Sequence, residues 1–345
     1  MTIYSEITEQ PERISALLIS QKKTVEQIAA AIHKRDIQYV FLAARGTSDN
    51  AGRYANYLLG ALNGLPLALA TPSLFTYYKQ PPKLKNALVV GISQSGQSPD
   101  IVSVLEEGRR QNCLTLAITN ESKSPLAQSA DFLLNINAGA EKAVAATKTY
   151  TTELMSIAML SAALNGNKKY WEDLNKTVHW MKEVLKQNEF IAEAAQRYRY
   201  MDQTIVLGRG FNYATAFEWA LKLKELTYVK AEPYSSADFA HGPIAMVERG
   251  FPVMAVAPKG KVFDSMLQML KRLRKDFSAE LVVISNDKRA LAEAQTPLTI
   301  SADIPEWLSP LISILPAQLF AYHLTLAKGY NAEQPRSIRK VTKTK

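Results

Sequence analysis

A chain of 345 residues is longer than one typical hydrophobic core organises, so two domains are expected. Its hydrophobic fraction of 47% and charged fraction of 21% are those of an ordinary globular protein. The net charge of +9 gathers in Arg109-Arg110, in Lys271 to Lys275 and in the tail from Arg336 to Lys345. Without zinc-finger spacing, an RNA-recognition motif or a separate basic arm, that charge points to anionic small molecules rather than nucleic acid. No apolar run reaches membrane-spanning length, and the start lacks the basic-then-apolar order of a signal peptide, so no membrane association and a cytoplasmic location are expected. Cys113 is the only cysteine, which excludes an intrachain disulfide and a cysteine metal site and suggests a buried thiol in a strand.

In chain order, Ile14, Leu17, Leu18, Val25, Ile28 and Ile32 suggest helices leading into a first strand at Ile37–Ala43. The strand runs into Arg45-Gly46-Thr47-Ser48, a turn at which Ser48 either touches a ligand or caps the following small-residue helix. Further strands are expected at Leu65–Ala70, Ala87–Ile92, Leu114–Thr119 and Phe132–Asn135, separated by helical stretches such as Asp100–Gln111. This alternation predicts an α/β fold built on a doubly wound parallel sheet, with ligands at the carboxyl ends of the strands.

The most informative segment is Gly91-Ile-Ser-Gln-Ser-Gly-Gln-Ser98, directly after the apolar run Ala87–Val90. Ser93, Ser95 and Ser98 supply hydroxyls, and Gly96 lets the backbone turn towards an anion. Ser98-Pro99-Asp100 has the form of an N-cap followed by proline at the first helical position, which would aim free N–H groups at a phosphate. A polar connection with an ordinary cap fits the same residues. In Ala143-Val-Ala-Ala-Thr-Lys148, small residues would let a ligand approach and Thr147 would bond its oxygen, or they would serve packing alone.

A helical stretch from Thr151 to Arg197, interrupted at Asn165-Gly-Asn167, reads as a helical hairpin between two halves. The second half repeats the order of the first: a strand at Gln203–Leu207 runs into Gly208-Arg-Gly210 and a helix, with later strands at Pro252–Ala257, Leu281–Ser285 and Leu298–Ile300. The stretch from Phe217 is amphipathic, with Trp219, Leu223 and Leu226 on one side and Glu218, Lys222 and Glu225 on another, and Glu218 and Lys222 have the spacing of a solvated ion pair. Ala231 to Pro243 is turn-rich, and His241 in it is suited either to proton transfer or to a structural hydrogen bond. Gly208-Arg-Gly210 lacks the third glycine of a dinucleotide site, and no metal cluster is visible, so no cofactor or metal is expected.

Six segments taken in order, RGTSDNAG (45–52), SQSGQSPD (93–100), AVAATKTYTTEL (143–154), LGRGFNYATAFEWALKLKELTY (207–228), AEPYSSADFAHGP (231–243) and QPRSIRK (334–340), resemble the sugar-isomerase (SIS) family. The closest likeness is to the isomerase half of the amidotransferases that make glucosamine 6-phosphate, and it covers almost the whole chain. The resemblance implies a helical lead-in over 1–30, a first SIS domain over 31–170, a helical connector over 171–194, a second SIS domain over 195–330 and an active-site tail over 331–345. It implies a phosphosugar substrate held by Ser93, Gln94, Ser95 and Ser98, with Gly46, Thr47, Ser48, Ala146 and Thr147 as further contacts. It makes Glu225 the proton-shuttling carboxylate and His241 the ring-opening group, supplied across a homodimer interface. Lys340 becomes the tail amine that forms a Schiff base with the open-chain ketose. The family's synthases carry serine where this chain has Ala146 and threonine where it has Ser98.

Such synthases also need a glutaminase domain with a nucleophilic cysteine, whereas this sequence starts at the isomerase half. Use of glutamine is therefore not expected, and the leading expectation is isomerising deamination of glucosamine 6-phosphate. A deglycase acting on fructosamine 6-phosphates and a non-catalytic phosphosugar sensor are the alternatives.

Overall fold

The computed structural model describes residues 2–340. The described residues include ten strands: β1 Tyr39–Ala43, β2 Leu67–Leu69, β3 Ala87–Ile92, β4 Leu114–Thr119, β5 Phe132–Asn135, β6 Gln203–Gly208, β7 Lys230–Ser235, β8 Pro252–Val256, β9 Glu280–Ser285 and β10 Thr296–Thr299. They form two five-stranded sheets, ordered β2-β1-β3-β4-β5 and β10-β9-β8-β6-β7, with every pairing parallel. Read from its other edge, the second order is that of the first, so the weak repeat in the sequence is two copies of one α/β unit. Strands β3 and β4 are buried along their whole length, which is why they appear in the sequence as unbroken apolar runs.

The chain divides into two compact units. One comprises residues 12–141 and 148–175 with Arg339 and Lys340, and holds the first sheet. The other comprises residues 2–11, 142–147 and 176–338, and holds the second. In the first unit, Val89, Ala117, Ile101, Val104, Leu105 and Leu126 pack on one sheet face, joined by the buried Cys113 thiol. In the second, Ile205, Leu207, Val253, Ala255, Leu281 and Val283 pack against Met266, Leu270 and Leu273 of the helix Phe263–Phe277.

Several elements differ from the sequence reading. The expected hairpin is three helices, Lys148–Asn165, Lys168–Leu185 and Asn188–Gln196, with a second break at Lys186-Gln187. Residues 230–235, read as turn-rich, form β7. Pro233 is tolerated there because β7 is an edge strand paired only with β6, and an edge position does not require every N–H. The helix Ser309–Ala327 has no counterpart in the sequence reading. By length and composition it passes for a membrane span, contrary to the expectation that no run reaches that length, yet it is a mostly buried core helix. Phe320 on this helix meets Tyr198 and Trp219 edge-on, and Ser309 accepts a hydrogen bond from Asn212 at 2.7 Å.

Candidate functional site

In an open sheet of this topology, the crevice lies where the strand order reverses, between β1 and β3 in the first unit. The two segments singled out in the sequence leave the sheet at that place. After β1, Gly46 takes a positive φ of 55° and begins the helix Thr47–Asn63. The Ser48 hydroxyl donates to Glu153 Oε1 at 2.8 Å, which leaves its oxygen able to accept from a ligand. Arg45 Nε bonds the buried Asp100 carboxylate at 2.8 Å and so ties this turn to the start of the helix Pro99–Arg110. Burial raises the Asp49 carboxyl, against the lowering pull of Arg53 and Arg45.

After β3, the chain makes a compact hydroxyl-lined loop. Ser93 N–H continues the ladder to Ile118 O at 3.1 Å, and Ser93 Oγ accepts the Gly96 N–H at 3.1 Å. Gln94 O accepts the Asn120 N–H and the Thr119 hydroxyl, and Ser95 Oγ accepts the Gln97 N–H at 3.4 Å. Gly96 sits at φ +60°, and a Cβ there would lie 2.2 Å from Ser124 Oγ, so both conformation and space require glycine. Ser98 is the N-cap of the helix Pro99–Arg110 but makes no side-chain capping bond, so its hydroxyl is not consumed by the helix. The loop therefore gathers Ser93, Gln94, Ser95 and Ser98 at one helix N-terminus, where backbone N–H groups and the helix dipole favour an anion.

Lys340 belongs to the same unit. Its Nζ lies 2.5 Å from Glu141 Oε2, and the Glu141 side chain has no exposed surface. Glu141 also accepts the Thr149 N–H at 3.1 Å and the Thr149 hydroxyl at 2.8 Å. The remainder of the basic tail, residues 341–345, lies outside the described residues.

The second unit carries the other candidates. On the helix Tyr213–Thr227, Lys222 Nζ stands 2.5 Å from Glu225 Oε2 and 3.4 Å from Glu218 Oε1. The expected solvated pair is thus a buried one, with Glu218 and Lys222 at 0% and 1% exposure, because the helix packs on both β6 and the Ser309–Ala327 helix. Glu225 is different: a quarter of its side chain is open. His241 is exposed and follows the helix Ser236–Ala240, its backbone N–H bonded to Asp238 O. In the 142–147 segment, Lys142 and Ala143 N–H groups bond the buried Glu6 carboxylate, at 2.5 and 3.2 Å. Ala146 is half-buried, and the buried Thr147 accepts from Gln318 Nε2 at 3.3 Å through its carbonyl oxygen. Among the described residues, no three His, Cys, Asp or Glu side chains are grouped as metal ligands.

Glu141, Glu153, Glu6 and Lys222 escaped the sequence reading as site residues. Glu153 and Lys222 lie inside the segments 143–154 and 207–228, and Glu6 and Glu141 lie outside all six, but in each case only burial sets the charge apart from a surface one.

Two parallel sheets of the same order, one bearing a hydroxyl-lined helix-N-terminal loop at its switch point, define a tandem α/β protein of the doubly wound class. The SIS domain family matches residues 35–163 and 199–328, and the chain belongs to that family of sugar-phosphate isomerase type. It is 34% identical over 348 residues to the isomerizing glutamine–fructose-6-phosphate aminotransferase of Legionella pneumophila strain Lens, covering 97% of this chain and 57% of the relative. The chain thus spans a little over half the length of such curated relatives. The C-terminal domain of glucosamine-fructose-6-phosphate aminotransferase from Francisella tularensis superposes with a TM-score of 0.86 at 29% identity, over 96% of this chain and 98% of that one. A glucosamine-6-phosphate deaminase from Thermotoga maritima shares the fold, with a TM-score of 0.72 at 20% identity over 97% and 100% of the two chains.

Proposed function

We propose that the chain converts glucosamine 6-phosphate to fructose 6-phosphate and ammonia by isomerising deamination. The observation that carries this reading is Glu225, a carboxylate anchored on its inner side by Lys222 at 2.5 Å and open on the other. A carboxylate held in that way can take a proton from one substrate carbon and return it to the next. In this proposal, Ser93, Gln94, Ser95 and Ser98 hold the phosphate, while Gly46, Thr47, Ser48, Ala146 and Thr147 contact the sugar. His241 of a partner copy opens the ring, which makes the working form a homodimer. Glu225 carries the proton between carbons 1 and 2, and Lys340 forms the Schiff base with the open-chain ketose. The phosphate takes no part in bond changes, so its binding energy is available to order the reacting groups.

The test is production of ammonia and fructose 6-phosphate from glucosamine 6-phosphate by the purified chain without glutamine. Both products should form in equal amounts, and Glu225→Gln should slow turnover by about 10²- to 10⁴-fold with phosphosugar affinity retained. Cleavage of fructosamine 6-phosphates in place of this reaction would establish the deglycase. Binding without turnover of either substrate would establish the sensor.

A further inference from the structure

The proposed Schiff base needs an amine with a free electron pair, yet Lys340 Nζ is in direct contact with a carboxylate. Glu141 has none of its side chain exposed, whereas Lys340 keeps 24% of its own. The lysine therefore reaches in from the solvent side to a charge that the fold has already buried. That charge is held in place by two bonds from Thr149, the second residue of the helix Lys148–Asn165, one from its N–H and one from its hydroxyl. A carboxylate at this position is oriented by the Thr149 N–H and hydroxyl, and its Oε2 faces the Lys340 amine. Gly139 and Ala140 directly precede it, and the Ala140 carbonyl accepts the buried Lys148 ammonium at 2.6 Å, so the strand-to-helix connection around Glu141 is itself pinned.

We infer that Glu141 is the acid–base partner of Lys340, holding the tail amine in place and passing its protons to the substrate oxygen as the Schiff base forms. The inference rests on the proposed reaction and adds a residue to it. In the resting pair, Lys340 is an ammonium and Glu141 a carboxylate. One proton passes from Nζ to Glu141 Oε2, and the freed electron pair forms the bond to the substrate carbonyl carbon while the C=O π pair moves to oxygen. Glu141 returns that proton to the oxygen. A second proton follows the same route from nitrogen, the C–O bond breaks, and water leaves. Ketone plus ammonium become iminium plus water, and Glu141 ends as it began.

A carboxylate that merely capped the Lys148–Asn165 helix would affect stability and leave the amine chemistry alone. The experiment therefore reads the chemistry: borohydride trapping of fructose 6-phosphate on the full chain, with the adduct located by mass spectrometry. Wild type should trap sugar on Lys340, and Lys340→Ala should trap none there. Glu141→Gln, which keeps the shape and can still accept from Thr149, should trap on the order of a hundredfold more slowly. Its affinity for glucitol 6-phosphate, an open-chain analogue with no carbonyl, should stay within about twofold, and Glu141→Asp should recover part of the trapping rate. Thr149→Val, which removes one capping bond and leaves the carboxylate, separates stability from chemistry and should trap at close to the wild-type rate.

Trapping by Glu141→Gln at the wild-type rate would overturn the role of Glu141 and leave the proposed reaction standing. Equal losses in Glu141→Gln and Thr149→Val, tracking a fall in melting temperature, would make Glu141 a cap only. No Lys340 adduct on wild type would overturn the Schiff-base reading and the role of Glu141 with it.

Discussion

The two sheets have the same strand order, and the segments at their switch points have diverged. In the first, the connection after β3 is Ser93-Gln-Ser-Gly-Gln-Ser98, with a helix N-terminus behind it and a Ser98 hydroxyl free of capping duty. In the second, the topologically equivalent connection after β8 is Ala257-Pro-Lys-Gly-Lys-Val262, which has no hydroxyl at all. A carboxylate of the chain itself lies against it: Glu306 accepts the Lys261 N–H at 2.9 Å, and a Cβ on Gly260 would fall 2.0 Å from the Glu306 carboxyl carbon. One fold thus provides two places where backbone amides can meet an anion. The side chains decide whether that anion comes from outside or from the protein. The second unit in turn has the buried Glu218 and Lys222 on the helix after β6, whereas the helix after β1 carries the part-open Asp49–Arg53 pair at 3.1 Å.

The sharpest way to break this contrast is to remove the cation of the second unit. Lys222→Met takes away the ammonium that faces both the buried Glu218 and the part-open Glu225, and should cost about 3 kcal/mol of stability, read by urea unfolding. Next come the paired glycines. Gly96→Ala forces an L-residue to φ +60° and drives a Cβ into Ser124, so it should cost about 2 kcal/mol and weaken fructose 6-phosphate binding about tenfold in calorimetry. Gly260→Ala needs no positive φ and meets only side-chain atoms of Glu306, which can turn aside, so it should cost about 0.5 kcal/mol and leave that binding unchanged. Equal effects at the two glycines would erase the distinction between the connections.

The smallest expected effect is one of pH and belongs to the second unit alone. Burial holds the His323 imidazole below its usual pKa of 6.5, and its Nε2 lies 2.8 Å from Asn188 Oδ1. As pH falls through 6.5 the unfolded chain takes up this proton before the folded one, so the stability contributed is present above 6.5 and is lost on acidification. The urea midpoint of wild type should decline faster below that pH than the midpoint of His323→Gln.

Much of the fold was legible because parallel strands buried on both faces leave a plain trace. The reading of Ala87–Ile92, Leu114–Thr119 and Phe132–Asn135 agrees with the structure residue for residue. Strand β7 was not legible, since Glu232 and Pro233 interrupt its pattern, and the only thing that makes it a strand is the partner offered by β6. The Ser309–Ala327 helix was hidden for the opposite reason: it is apolar on every side, so it lacks the period of three to four residues that marks a surface helix. The serine loop was visible as composition before a turn. The buried charges of the two units were not, because a charged side chain such as Glu141, Glu153 or Lys222 carries no local sign of its burial.

By itself, the sequence determined that this protein is a tandem α/β chain, and it determined where a serine-rich loop leaves the first sheet. These follow from local patterns: apolar runs, glycine, and serine before proline at a helix start. Only the tertiary structure decided which charges are buried and with which partners. Glu141 and Lys340 are 199 residues apart and meet because the tail returns to the first unit, and Lys222 sits between two glutamates on a helix whose covering partner, Ser309–Ala327, comes much later in the chain. Burial and long-range pairing are properties of the packed chain, where the cost of taking a charge out of water is offset only by a partner that the local sequence does not specify.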